Sequence, residues 1–176
     1  MKLTTLGYAL IGLVQAEPCS GYALRRVFET TPMGTYSSSP GSIYPALARL
    51  VAAGFLEKRA PAGGGKKLFH VTTRGRDAMN AWLRTPVTEE EVTRSVDLVL
   101  LRFAFLENVD EPGVTQSFLA SFESALSNRI EQIEAYLESP AGRALGRHGR
   151  LAVENGLQGL MTQRQWAATS KKEFRS

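Results

Sequence analysis

The hydrophobic period of the chain changes at one place, the segment 55–72, and this change limits the folds open to the sequence. On both sides of the segment, apolar residues recur at spacings of three and four, which predicts α-helices. Inside it, two short runs, 55–59 and 67–72, flank the glycine-rich stretch 60–66, which is the pattern of a β-hairpin with a flexible tip. The sequence therefore predicts a mainly α protein that contains a single two-stranded hairpin.

Three helices are predicted ahead of the hairpin, because capping and breaking residues divide the apolar pattern there. The apolar residues assigned to the second helix are Tyr22, Leu24, Val27 and Phe28. Ser20 can cap this second helix, and either Ser39 or Ser42 can cap the third. Pro45 fits the third helix only in its first turn, where its missing N–H costs least, and Gly54 ends that helix. The predicted order is helix, helix, helix, strand, tip, strand.

The part of the chain behind the hairpin is predicted to be helical throughout. Thr73 can cap a fourth helix, and the pair Thr88 and Glu91 has the spacing of a capping box that begins a fifth. This fifth helix is predicted to run on through 98–106, which is apolar almost all round. The longest periodic segment follows at 119–137, and a last helix comes after it.

The net charge of +4 hides an asymmetry between the two halves of the chain. Residues 1–86 hold 11 Lys and Arg against 4 Asp and Glu, a net of +7, whereas residues 87–176 hold 10 against 13, a net of −3. A basic half suggests contact with a polyanion, although an uneven solvated surface explains the charge equally well. We predict two domains with these boundaries, an N-terminal binding domain and a C-terminal helical domain.

Residues suited to catalysis or metal binding are scarce in this sequence. The single cysteine, Cys19, excludes an intrachain disulfide, and together with His70 and His148 it cannot complete the usual tetrahedral zinc set. Cys19 precedes a helix, which can lower a thiol pKa, but a half-buried turn residue is the favoured interpretation. The stretch 63–67 lacks the first glycine and the Ser or Thr of a phosphate loop. We therefore expect no catalytic residues, no metal and no cofactor, and a protein that is not an enzyme.

The N-terminus carries an apolar stretch that loosely resembles a secretory signal. Its positive region is Lys2 alone, and Gly7 and Gly12 interrupt its apolar core, so a short buried helix is the favoured interpretation. No run in the sequence approaches 18 uninterrupted apolar residues, so no membrane-spanning helix is expected. We expect a cytoplasmic protein without a membrane partner.

The order of the predicted elements is typical of a winged helix-turn-helix, whose third helix enters the major groove of DNA while the hairpin wing lies against the backbone. Small polar residues at 37–42 allow the start of the third helix to approach base edges, and Tyr44 offers a ring and a hydroxyl there. Lys66 and Lys67 directly follow the glycine tip, where they can meet phosphates. Each feature also has an ordinary explanation: serines that cap, a tyrosine in the core, and a lysine pair on a solvated hairpin.

Several segments are similar to one known family, the PadR family of bacterial transcriptional regulators. They are LTTLGYALIGL at 3–13, SGYAL at 20–24, SPGSIYPAL at 39–47, GFLE at 54–57 and VTTRGR at 71–76. The run at 39–47 is highly specific, and the resemblance covers about residues 3–85. Residues 88–170 more weakly resemble the helical C-terminal region of the longer, virulence-activator-like branch of this family, in which Trp166 matches a typical tryptophan.

The resemblance implies a homodimer that binds inverted-repeat DNA, usually as a repressor and in that branch sometimes as an activator. The residues that it places at the DNA are Ser39, Ser42, Tyr44, Arg49, Lys66 and Lys67. The wing of this chain carries fewer charges than many wings of the family. A winged helix can also dock proteins, so a protein-interaction module that binds a protein partner is the alternative function.

The C-terminal half is expected to be an α-helical dimerisation domain. The segment 98–106 is apolar on more faces than one small domain covers, and the stripe at 119–137 needs a second surface, so we predict a second copy of the chain as the partner. Many relatives respond to small aromatic or amphipathic effectors. Any such pocket is expected where the halves or the two copies meet, with Trp82, Phe103 and Trp166 as candidates, although an aromatic residue at helical spacing is more often core.

Overall fold

The computed structural model describes residues 3–31, 33, 40–60, 65–109, 111 and 113–174 of the 176-residue chain. The α-helices of this part are α1 Thr5–Ala16, α2 Gly21–Thr30, α3 Ile43–Ala52, α4 Thr73–Arg84, α5 Glu89–Arg94, α6 Val96–Ala104, α7 Val114–Glu138, α8 Pro140–Arg143 and α9 Arg147–Glu173. Its strands are β1 Leu56–Arg59 and β2 Leu68–Val71, and its 3-10 turns are Pro40–Ser42 and Leu106–Asn108. The prediction of a mainly helical protein with one two-stranded hairpin is confirmed.

The chain divides into two compact units. One comprises Met1–Leu83 with Glu107–Asp110, and the other comprises Arg84–Leu106 with Glu111–Ser176. Whether residues 1–86 and 87–176 form separate functional domains stays a prediction.

The first two helices of the N-terminal unit begin at hydroxyl caps. The Thr4 side chain accepts a hydrogen bond from the Gly7 N–H, and the Ser20 side chain accepts one from the Ala23 N–H, both over 3.2 Å. Each bond satisfies one of the N–H groups that a helix start leaves free. The predicted cap at Ser20 is therefore confirmed.

Helix α3 begins and ends where the sequence indicates. Ser42 occupies the N-cap position without a capping bond from its side chain, and Pro45 is the third helical residue, where no backbone donor is needed. At the other end Gly54 has φ +74°, and the Phe55 N–H donates to the Leu50 carbonyl over 2.9 Å. This is a Schellman closure, which glycine permits because it adopts positive φ without steric cost.

The hairpin is extended by a bridge and closed by a tight helix contact. β1 and β2 pair antiparallel with Leu56 opposite Val71, and the Phe69 N–H donates to the Cys19 carbonyl over 2.8 Å. A Cβ on Gly75, in the first turn of α4, would lie 2.2 Å from the Phe55 carbonyl oxygen. Only glycine therefore allows α4 to pack this closely against the start of the hairpin.

The predicted cap of α4 is wrong by one residue. The side chain of Thr72, not of Thr73, accepts the hydrogen bond from the Gly75 N–H over 3.0 Å. The same hydroxyl donates to the Gly54 carbonyl over 2.7 Å. Thr72 is favoured because its position at the end of β2 lets one hydroxyl join the end of α3 to the beginning of α4.

The single helix predicted from the capping box through 98–106 is in fact two helices. Thr88 and Glu91 do form the capping box, which begins α5. The backbone then becomes extended at Ser95, with φ −170° and ψ 107°, and α6 begins after it. This break turns α6 so that Arg102 reaches back to Glu91, with Nη1 and Oε1 separated by 3.1 Å.

Arg102 is a charged residue inside the apolar segment 98–106, with only 2% of its surface exposed. Its guanidinium lies 4.9 Å from the centroid of the Phe118 ring and donates to both carboxylate oxygens of Glu91. Burial lowers the pKa of Arg102 below its ordinary value, and the charge and hydrogen bonds of Glu91 oppose this decrease. Glu91 therefore both caps α5 and compensates a buried charge.

The long helices of the C-terminal unit pack against each other and cover most of their apolar residues within one chain. An aromatic cluster lies in this unit, where Phe103 meets Trp166 edge to face at 5.1 Å between ring centroids. Fully or nearly fully buried positions in the two predicted stripes are Val99, Leu101, Phe105, Leu106, Leu119, Phe122, Leu126 and Ile130. The expectation that these stripes need a partner chain to cover them is therefore wrong, because the chain's own helices do so.

We predict that Glu91→Gln lowers the free energy of unfolding by about 2 kcal/mol, because it keeps the capping geometry but removes the charge that compensates Arg102. The loss stays below that of a fully buried pair, since the Glu91 side chain is partly exposed. The matched control is Glu90→Gln, whose exposed ion pair with Arg94 contributes at most about 0.5 kcal/mol. Urea denaturation measures both variants, and equal midpoints for Glu91→Gln and wild type would contradict the role of the pair.

Candidate nucleic-acid interface

Helix α3 has one buried side and one exposed side. Ile43, Ala46, Leu47 and Leu50 are buried, as the spacing predicts. The exposed side carries Tyr44, Pro45, Ala48 and Arg49. The exposed side of α3 thus carries a tyrosine hydroxyl at its start and an arginine further along. Such groups can form hydrogen bonds in the major groove of DNA, which is wide enough to admit a helix.

Tyr44 combines exposure with a defined packing position. It is 47% exposed, so the interpretation of this residue as core is wrong. Its ring nevertheless lies over the start of α2, since a Cβ on Gly21 would be 3.0 Å from the Tyr44 Cε1. The absence of a side chain at Gly21 thus allows the ring to lie close to α2 while much of it faces solvent.

Helix α2 adds exposed residues that the sequence analysis did not select. Tyr22 is 60% exposed, and Arg25 and Arg26 are exposed on the same helix. The assignment of Tyr22 to the apolar stripe of α2 is wrong, because it lies two residues before the buried Leu24 and therefore on another side of the helix. The exposed residues of α2 could have been found from their spacing, because positions 22, 25, 26 and 29 lie on one side of a helix.

Arg25 is exposed on α2 and forms an ion pair with Glu29, one turn further along the helix. Its Nε donates to the Glu29 carboxylate over 2.7 Å, and this hydrogen bond is the main reason that the pKa of Arg25 is raised. The charges of Tyr44 and Tyr22 contribute smaller increases to the same pKa. The surface formed by Tyr22, Arg25 and Tyr44 joins the two helices of the turn, and we call it the α2–α3 patch.

The wing presents its two lysines to solvent. Lys66 and Lys67 are both exposed and directly precede β2, and Gly65 before them has φ +128°, which a residue with a side chain rarely adopts. Ser39 and the tip residues 61–64 lie outside the described residues. Ser42 is half-buried at the start of α3. The structure thus exposes Tyr44, Arg49 and the lysine pair in one unit, and their role as DNA contacts stays a prediction.

The three aromatic residues considered for an effector site fall into different surroundings. Trp82 stacks on Tyr8 in the N-terminal unit, with centroids 4.2 Å apart and planes 8° apart, and burial raises the pKa of the Tyr8 hydroxyl. Phe103 and Trp166 meet in the aromatic cluster of the C-terminal unit. Both arrangements are those of packed side chains, and a role in effector binding stays a prediction.

Chemically reactive groups are sparse in the described part of the chain. No three His, Cys, Asp or Glu side chains of that part are grouped so that they could hold a metal ion. Burial and the nearby Glu17 raise the pKa of the Cys19 thiol, so the position before α2 does not activate it. None of the helices that the structure describes combines the length and the apolar character needed to cross a bilayer.

The order of helices and strands in the N-terminal unit is that of a winged helix-turn-helix. Residues 10–81 match the model of the Transcriptional regulator PadR-like family, so this part of the chain is similar to that family, in agreement with the resemblance seen in the sequence motifs. The description of this family is that of transcriptional regulators.

A curated relative covers the same part of the chain. The negative transcriptional regulator PadR of Bacillus subtilis (strain 168) is 30% identical over 84 residues, which are 46% of this chain and 46% of that protein. The match therefore spans less than half of the relative's length.

Solved structures that are similar to this chain carry PadR names. A PadR-like transcriptional regulator from Bacillus cereus is 22% identical with a TM-score of 0.45, and the match covers 99% of this chain and 98% of that one. Bacillus subtilis PadR in complex with operator DNA is 21% identical with a TM-score of 0.41 and coverages of 98% and 100%. The same protein in complex with p-coumaric acid is 22% identical with a TM-score of 0.42 and coverages of 97% and 95%.

Proposed function

We propose that this protein is a sequence-specific DNA-binding repressor that acts as a homodimer on an inverted-repeat operator. The observation that carries this proposal is the exposed side of α3, which presents Arg49 to solvent together with Tyr44 of the α2–α3 patch. The name of the curated relative, a negative transcriptional regulator, supports repression. The net charge of +7 on residues 1–86 supports a polyanionic partner.

The proposed DNA contacts are of two kinds, contacts to base edges and contacts to phosphates. Ser42 and Tyr44, at the start of α3, read base edges in the major groove, and the family resemblance adds Ser39 to this set. Lysines and arginines contact phosphates, which orients the protein but carries no sequence information. We assign Lys66, Lys67 and Arg49 to phosphates and add Arg25 from α2, whose bond to Glu29 is exposed and can exchange for a phosphate oxygen.

The alternative, a winged helix that binds a protein partner, predicts a different salt dependence. Binding to DNA releases the counterions that condense on phosphates, so its affinity falls steeply with salt. A protein partner that is held mainly by apolar contacts lacks this dependence.

We predict that replacing both Lys66 and Lys67 by Ala weakens binding to all duplex sequences alike. Each lost phosphate contact lowers the slope of log K against log salt by about one. Fluorescence anisotropy with an operator duplex and a random duplex at several salt concentrations measures the slope. Lys172→Ala, at the exposed end of α9, is the control for loss of a positive charge outside the wing. An unchanged slope in the double variant would remove the wing from the interface.

We predict that Tyr44→Ala costs about 1–3 kcal/mol of affinity for the specific site and little affinity for random DNA. Because the Tyr44 ring also covers Gly21, melting curves accompany the binding curves. Tyr44→Phe is the matched variant, since it keeps the ring over Gly21 and removes only the hydroxyl. If the folded Tyr44→Ala protein keeps the sequence preference of wild type, the base-reading role of Tyr44 is wrong.

The dimer proposal is supported by helix α9 rather than by the stripes named from the sequence. α9 has 27 residues, all described, of which Ala167 alone is buried. Leu151 is 54% exposed, and Tyr136 on the neighbouring α7 is 42% exposed. A groove of about 510 Å³ runs between these helices, with Ile133, Tyr136 and Val153 in its wall. An apolar face of this kind on a long helix is typical of a surface that pairs with a second copy.

We predict that the wild-type chain sediments at about twice its 19.3 kDa monomer mass and that the double variant Leu151→Asp, Tyr136→Asp sediments as a monomer. Dimerisation of the double variant would bury two unpaired carboxylates in the apolar interface, and burial of an unpaired charge is strongly unfavourable. Leu98→Asp is the control, because Leu98 is an exposed leucine on α6. Sedimentation equilibrium at micromolar concentration tests the claim, and a monomeric wild type, or dissociation caused only by Leu98→Asp, would contradict it.

Release by a small aromatic or amphipathic effector stays a prediction, with Trp82, Phe103 and Trp166 as its candidate residues. The packed surroundings of these residues give an effector no specific support in the structure.

A further inference from the structure

Lys58, on β1, lies on the face of the hairpin that packs against the beginning of α2. It stands opposite Phe69 of β2 in the strand register, and residues directly opposite each other in an antiparallel pair share one face. Because side chains alternate along a strand, the neighbours Glu57 and Arg59 belong to the other face. Each face of the hairpin therefore carries one basic residue of β1, and the surroundings of the two residues differ.

The face that carries Lys58 is continuous with the exposed start of α3. The Phe69 N–H donates to the Cys19 carbonyl over 2.8 Å, which ties β2 to the residues just before α2. A Cβ on Gly21 would lie 3.5 Å from the Phe69 Cε2 and 3.0 Å from the Tyr44 Cε1. The rings of Phe69 and Tyr44 therefore lie beside each other across Gly21, and this face of the wing borders the α2–α3 patch.

The Lys58 ammonium is held in position without a carboxylate to neutralise it. Its Nζ lies 5.1 Å from the centroid of the buried Phe69 ring, a contact that attracts a cation to the ring face. The Lys58 side chain is exposed, and none of the ion pairs between described residues includes it. Arg59, the next residue, pairs with Glu57. Of these two adjacent cations, Lys58 is the one that remains available to an external anion.

We propose that Lys58 contacts a backbone phosphate of DNA at the base of the wing, with Phe69 as the positioning residue that holds its ammonium. The inference rests on the proposed DNA-binding function and adds a contact that neither the sequence motifs nor the lysine pair of the wing includes. DNA is the anion that fits, because Tyr44 borders this face on one side and Lys66 and Lys67 follow toward the tip of the wing. Lysine is a point charge, so the contact contributes affinity for every duplex and no sequence preference.

The variant Lys58→Met tests the contact, because it removes the charge and keeps an unbranched apolar chain over the Phe69 ring. Two probes are used, a duplex that the wild-type protein selects from a random library and a random duplex. For both, we expect the slope of log K against log salt to fall by about 0.9, the value of one phosphate contact, which is about eightfold in affinity per decade of salt. Lys58→Arg keeps the charge and is expected to keep the wild-type slope. Fluorescence anisotropy of the full chain measures the slopes, and melting curves show that each variant is folded.

Arg59→Met is the matched control, because Arg59 is an exposed cation of the same strand that lies on the other face of the hairpin. It removes one positive charge from the wing, as Lys58→Met does, and we expect it to leave the slope unchanged. An equal decrease in both variants would mean that the total charge of the hairpin matters and not the face, which would contradict the assignment of Lys58.

A measurement on the wild-type chain needs no variant. Lysines are acetylated with and without a saturating amount of the selected duplex, and mass spectrometry reads the rate at each lysine. We expect the duplex to protect Lys58 and to leave Lys172, at the exposed end of α9, unprotected.

The outcomes separate this contact from the repressor proposal. If wild type binds duplex DNA but Lys58 is acetylated at the same rate in the complex, or Lys58→Met keeps the wild-type slope, the Lys58 contact is wrong and the repressor proposal stands. If wild type binds neither duplex, both are wrong.

Discussion

The burial of one guanidinium constrains the architecture of the C-terminal unit. Arg102 is almost fully enclosed, and an enclosed charge is tolerated only beside a compensating group. Glu91 supplies that group, but it sits on a different helix, so the chain must turn between α5 and α6 to bring the two together. The capping box fixes Glu91, the extended backbone at Ser95 makes the turn, and Phe118 of α7 covers the guanidinium. Three helices are thereby held in one arrangement by a single charge.

In the N-terminal unit, two glycines allow neighbouring elements to pack closely. Gly75 allows α4 to reach the backbone of Phe55, and Gly21 allows the Tyr44 ring to lie against α2. Close packing at these two points fixes α3 between its neighbours while its other side stays free. The surface that we propose for DNA is thus what remains of α2 and α3 after their apolar sides are buried, and it carries tyrosine hydroxyls and guanidinium groups.

The basic residues of this unit lie on its surface. On the helix-turn-helix and the wing, Arg25, Arg49 and the pair Lys66 and Lys67 are exposed. Exposed charges of this kind suit a long polyanion, because contacts to phosphates do not depend on its sequence.

The sequence by itself determined the features that depend on neighbours along the chain. The cap at Ser20, Pro45 in the first turn of α3, the turn at Gly54 and the hairpin follow from local hydrogen bonding and backbone sterics. Only the tertiary structure decided the exposure of Tyr22, the cap at Thr72, the break at Ser95, and the covering of the apolar stripes by the chain's own helices. Each of these depends on contacts between residues far apart in sequence, such as Thr72 with Gly54 and Arg102 with Glu91. The periodicity of one segment indicates which side of its helix is apolar, but it does not indicate which other segment covers that side.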